Sequence, residues 1–179
     1  MVHVILMERN VVRVMIIHII NRQRLCRLNT AKLKAVIALF MTKVTKNGAR
    51  DWKELTVMLT DDDGIRRIKR QFFDIDCVTD VISFALNPQP ADGGQKTAEI
   101  VVNAERACLE GKKRSGVEHE FALYLAHGCD HLGGHDDRTI RTRAKMRRRE
   151  LNWLKEAEKL NLLSGLVSPA INRSIIISL

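Results

Sequence analysis

The sequence predicts a single α+β domain: a small mixed β-sheet packed with helices. Three observations predict it. Runs rich in β-branched residues alternate with apolar stripes at helical spacing. No internal repeat is visible. The 179 residues, 45% of them apolar, suffice to fill one core, with Leu, Ile, Val and Met doing the packing because aromatics are only 4%.

The elements follow in order. Residues 11–20, Val-Val-Arg-Val-Met-Ile-Ile-His-Ile-Ile, read as a strand. Asn29-Thr30 can cap a helix whose apolar stripe is Leu33, Val36, Ile37, Phe40, Met41 and Val44, ended by Asn47-Gly48. Residues 54–60 alternate as a strand, and Asp61-Asp62-Asp63-Gly64 reads as an acidic turn and cap before a short basic helix, 65–71. A calcium loop does not fit, because the later bidentate Glu is absent. Residues 87–94 are a Pro/Gly loop and candidate flap, and 98–102 a strand. A helix then runs from Asn103 to about Gly111, followed by the basic turn Lys112–Gly116. Val117–Gly128 is a helix anchored by Phe121, Leu125 and Gly128, and Thr139–Leu160 is the last helix.

Chemistry concentrates in His127-Gly-Cys-Asp-His131-Leu-Gly-Gly-His135-Asp136-Asp137. Two histidines four apart lie on one face of a helix and can converge on one metal ion. Gly133-Gly134 turns the chain back. His135 and Asp137 are then two candidates for a third ligand. Two imidazoles and one further donor leave a coordination position open, the pattern of a catalytic zinc at the end of a helix. His119 lies ~12 Å along the same helix axis from His127 and is read as outside the metal's reach. Asp130 is read as a solvated residue or a proton acceptor, and Cys129 as a small buried apolar residue.

The stretch resembles the signature H-G-x-L-H-L-x-G-Y-D-H of the YbeY family of metal-dependent endoribonucleases. His127, Gly128, His131, Leu132, Gly134 and Asp136 match in register. The family's tyrosine is His135 here, and its third histidine is Asp137, which register makes the third ligand. Thr79-Asp-Val-Ile-Ser-Phe84 resembles the family's T-D-V-L-S-F strand, and Ala98-Glu-Ile-Val-Val102 its G-D-I-x-I. The resemblance spans residues 15–160, leaving 1–14 as an N-terminal extension and 161–179 as a C-terminal tail. It places a functional arginine six residues before Thr79, where this chain has Phe73; Arg70, one turn earlier, is the stand-in. Met146 and Glu150 also occupy family positions in the last helix.

The resemblance implies one Zn2+ ion held by His127, His131 and Asp137. Asp136 would accept an N–H from a ligand histidine, and Arg70 would serve catalysis or RNA binding. It also implies single-strand RNA as substrate, maturation of ribosomal RNA at the small-subunit 3′ end, ribosome quality control, and the ribosome or its small subunit as partner. Charge agrees: 30 Lys plus Arg against 21 Asp plus Glu gives +9, which favours a polyanion. Arg138, Arg141, Arg143, Lys145, Arg147, Arg148 and Arg149 all precede the last helix's first acid, Glu150, and are read as RNA-phosphate contacts.

Two alternatives stand beside this reading. A zincin peptidase needs the Glu of H-E-x-x-H as general base, and that position is Gly128. A ribosome assembly factor with a structural zinc would bind RNA without cutting it. No uninterrupted apolar run approaches the ~20 residues of a membrane span, and the four scattered cysteines read as reduced thiols, so a cytoplasmic protein is expected.

Overall fold

The structure is a computed structural model that describes residues 3–8, 11–46, 52–86 and 96–169. The expected helix stop at Asn47-Gly48 and the loop 87–94 lie outside the described residues.

The chain opens with β1 (His3–Glu8) and β2 (Val11–Asn21), then a short β3 (Cys26–Leu28) and α1 (Thr30–Lys46). Next come β4 (Trp52–Thr60), α2 (Asp62–Phe73), β5 (Val81–Leu86) and β6 (Lys96–Asn103). The second half is helical: α3 (Ala104–Lys113), α4 (Val117–Leu132) and α5 (Ile140–Lys159), followed by β7 (Val167–Pro169). Five strands form one mixed sheet in the order β1-β2-β4-β6-β5. β2, β4 and β6 run parallel, and the outer strands β1 and β5 run antiparallel to their neighbours. The predicted α+β class with a small mixed sheet is therefore what the chain forms.

The period of two along the strands sorts side chains between the sheet's faces. Leu55, Val57, Leu59, Ile100 and Val102 join the main core, with the α1 stripe and α4. Val101 and Ile82 point the other way, meeting Ile65 of α2 in a small second cluster. All six residues of the predicted α1 stripe are 0–1% exposed. Burying each such side chain contributes about 1.5–3 kcal/mol.

The acidic turn is a cap, as expected. Asp61 Oδ1 accepts from the Gly64 N–H at 2.8 Å, and Asp62 accepts from Asn103 Nδ2 at 2.6 Å and Arg106 Nη2 at 3.0 Å. Two elements differ from the sequence reading. The segment after 160 re-enters the fold: Leu163 and Leu166 are buried in the main core, and β7 pairs antiparallel with β3. At the other end, β1 pairs with β2 along residues 3–8, so the expected extension contributes an edge strand.

Candidate metal centre

α4 is buried along most of its length, which fixes the two histidines at its C-terminal end. The Gly133 N–H bonds back to the carbonyls of Cys129 and Asp130, and the Gly134 N–H to that of His131. Gly134 then takes φ +85°, a conformation that favours glycine, and redirects the chain toward Asp137. One donor atom each from His127, His131 and Asp137 then lies within 4.8 Å of the others. His127 Nε2 stands 3.2 Å from His131 Nε2 and 3.9 Å from Asp137 Oδ2.

Hydrogen bonding on the far side of each ring decides what these atoms can do. His127 Nδ1 is 2.7 Å from Glu150 Oε1, and His131 Nδ1 is 3.0 Å from the His135 carbonyl. Both acceptors require a proton on Nδ1, so in the neutral ring the lone pair is on Nε2. Two imidazole Nε2 atoms and a carboxylate oxygen thus converge, a donor set that suits a cation. Two imidazole nitrogens bound tetrahedrally at zinc distances would stand about 3.3 Å apart, close to the separation found. The residues present fit a zinc ion.

The acidity of His127 reflects the same contacts. Burial alone would pull its pKa down. The hydrogen bond and charge of Glu150, with Asp80 and Asp137, outweigh that and raise it above the usual imidazole value.

Gly128 explains why no glutamate follows His127. A Cβ there would lie 2.8 Å from Ile100 Cγ2, 3.0 Å from Val81 Cγ2 and 3.1 Å from Ser83 Oγ. Ser83 Oγ also donates to the Gly128 carbonyl at 3.0 Å. This side of α4 lies flush on β5 and β6, so the base of a zincin peptidase has no place to stand.

Several sequence expectations are redirected. Asp130 is not solvated: its side chain is 1% exposed and takes a two-pronged contact from Arg149, with Nη2–Oδ2 at 2.9 Å and Nε–Oδ1 at 3.1 Å. Arg149 thereby leaves the group of arginines available to RNA. His135 turns its Nδ1 to within 2.9 Å of Asp130 Oδ1, off the line of a hydrogen bond, and contributes its carbonyl rather than its ring to the centre. Asp136 accepts from the Arg138 N–H at 3.2 Å and from Thr142 Oγ1 at 3.4 Å, so the carboxylate that meets a histidine of the cluster is Glu150. In the sequence Glu150 stands as the acid ending a basic run and at a family position, with nothing to pair it with His127. Phe73 stacks on Phe84, with ring centroids 5.8 Å apart, and Arg70 is exposed on α2 and does not line the cavity beside the centre.

That cavity has a volume of about 480 Å3 and is reached from His127 and Asp137. Its walls carry three arginines, Arg114, Arg143 and Arg147, together with Asp80, Glu120 and Tyr124. Glu120 is buried and accepts from Arg114 Nη1 at 2.8 Å. Burial, with the charges of Glu120 and Asp80, raises the Tyr124 pKa well above its usual value, so its hydroxyl stays protonated.

Such a centre, opening on a cavity walled by guanidinium groups, belongs to the class of hydrolases that work on anionic substrates. Comparison with known proteins makes the class specific. The family model described as Endoribonuclease YbeY matches residues 18–158. An endoribonuclease YbeY of Nautilia profundicola is 36% identical over 117 residues, covering 64% of this chain and 78% of that protein. One from Myxococcus xanthus is 36% identical over 96 residues, covering 52% of this chain but 33% of that longer protein. A solution structure of a Thermotoga maritima protein superposes with a TM-score of 0.54, covering 82% of this chain and 92% of that one at 21% identity, which shows the shared fold. The chain belongs to the YbeY family of endoribonucleases, hydrolases that cleave RNA. Among the described residues, no helix is long and apolar enough to cross a membrane.

Proposed function

We propose that this chain is a single-strand-directed, metal-dependent endoribonuclease of the cytoplasm. In this reading it matures ribosomal RNA at the small-subunit 3′ end, serves ribosome quality control, and has the ribosome or its small subunit as partner. His127, His131 and Asp137 hold one Zn2+ ion. The observation that carries the nuclease chemistry is the convergence of two histidine nitrogens and a carboxylate oxygen at the mouth of an arginine-walled cavity. The restriction to ribosomal RNA rests on the family resemblance.

A Zn2+ ion held by His127, His131 and Asp137 would supply Lewis acidity toward a phosphoryl oxygen and would acidify water. The protein's own side chains do the rest. Glu150 and the His135 carbonyl keep protons on the two Nδ1 atoms and so keep both Nε2 atoms free to ligate. Asp136 fixes the turn that presents Asp137, acting as a positioning residue. Tyr124 presents a protonated hydroxyl to the cavity, and the arginines offset charge developing on phosphorus. A cavity of this volume accommodates an unstacked nucleotide rather than a duplex, which supports single-strand preference. Arg70, outside the cavity, would contact RNA only beyond the cleaved linkage.

The test is cleavage of an end-labelled single-stranded RNA by the zinc-loaded protein, beside His127→Ala and a chelator-treated sample. Cutting that vanishes in both controls is expected. RNA binding without cutting, at matched zinc content, would overturn the nuclease reading in favour of an assembly factor.

A further inference from the structure

α5 presents Arg143, Met146, Arg147 and Glu150 to the cavity, at positions i, i+3, i+4 and i+7. That is one continuous face of a helix. Its C-terminal end, Glu150, holds the metal-centre histidine His127 at 2.7 Å. Its floor, Met146, is buried at 1% exposure. The two arginines are therefore set on a rigid element at a fixed distance from the centre, one helical turn and ~6 Å of rise apart.

Their pairing state distinguishes them from the other cations of this region. Arg149 is forked onto Asp130, and Arg114 is held by Glu120 and, at 3.4 Å, by Glu110. Among the described residues, no carboxylate pairs with the guanidinium of Arg143 or of Arg147. The acids that share the cavity have partners other than these two arginines: Glu120 meets Arg114, Glu150 meets His127, Asp137 lies 3.9 Å from His127, and Asp80 accepts from the Val81 N–H at 2.9 Å. Two cations with unused N–H forks thus face a cavity whose acids are already engaged.

We propose that Arg143 and Arg147 form a phosphate clamp that grips the backbone of a single strand next to the linkage held at the metal centre. The ligand class is the phosphodiester oxygen pair, which matches the planar guanidinium fork. Two forks one turn apart suit successive phosphates of an extended strand and set which linkage lies over His127. The clamp deepens the nuclease reading and rests on it for its catalytic meaning. Its grip is measurable without cleavage.

The experiment measures binding of a short 2′-O-methyl RNA oligomer to the zinc-loaded full chain by fluorescence anisotropy, across a salt series. Cleavage of unmodified RNA is followed in parallel. Arg143→Ala and Arg147→Ala are each expected to weaken binding about tenfold and to reduce the salt slope by about 0.7. In cleavage they raise KM more than they lower kcat, with zinc content unchanged. Lysine at either position restores the salt slope but not the full affinity, because the charge returns without the fork. Lys155→Ala, exposed farther along α5, leaves both values within twofold. The clamp is overturned if the alanine variants keep the wild-type slope, if Lys155→Ala lowers the slope as much as either of them, or if the wild type binds no oligomer. Loss of cleavage with slopes behaving as expected would sink the nuclease reading while upholding the clamp.

Discussion

Glu150 Oε1 lies 2.7 Å from His127 Nδ1, joining α5 to α4 across 23 residues of sequence. The carboxylate is 3% exposed, so the contact is shielded from solvent and fixes the imidazole's tautomer. Glu150→Ala is expected to weaken zinc binding about 10–100-fold, measured by competition with a chromogenic chelator. Glu150→Gln, whose amide oxygen can still accept the proton, should lose less. Equal affinity in wild type and alanine variant would remove Glu150 from the centre.

The same pair sets a pH dependence. The His127 pKa is raised above 6.5 in the folded, metal-free protein. Its protonation therefore stabilises the metal-free fold fully below the unfolded value, and that contribution is lost as pH rises through the raised value. Zinc must displace this proton, so zinc affinity should climb about tenfold per pH unit up to the folded pKa and level off above it. Calorimetry in buffers of different ionisation enthalpy should show proton release on the rising limb. A flat affinity across that window would refute the assignment.

Gly128→Ala tests the contact between α4 and the sheet. The added methyl meets Ile100 Cγ2 at 2.8 Å and Val81 Cγ2 at 3.0 Å, and overpacking of this kind costs about 1–3 kcal/mol. The urea midpoint should fall accordingly. Gly128→Glu, which writes the H-E-x-x-H motif into the chain, should be less stable still and gain no peptidase activity.

Asp130→Ala removes the buried partner of Arg149. Losing its hydrogen bonds to the partly exposed Arg149 costs about 1.5–3 kcal/mol. A drop far below that in chemical denaturation would mean that Arg149 swings out to water at little cost.

Much of this molecule was legible from spacing. The α1 stripe, the caps at Asp61 and Asn103, and the histidine pair followed by a glycine turn are local patterns, and local backbone chemistry fixes them. What escaped notice depends on contacts between distant residues. Asp130 looks like any charged residue on a helix until α5 brings Arg149 to it. Glu150 looks like the end of a basic run until His127 is placed against it. The choice between His135 and Asp137 likewise turns on how the chain leaves Gly134, where the ring of one goes to Asp130 and the carboxylate of the other returns to the histidines.

The recognisable family region ends at residue 158, yet the core does not. Leu163 is 6% exposed and Leu166 is fully buried, and β7 zips onto β3 beside the start of α1. Anyone trimming the gene to the boundary that homology suggests would delete part of the hydrophobic interior, at about 1.5–3 kcal/mol for each leucine. For this chain, the shortest useful expression fragment is set by packing and runs to at least residue 169.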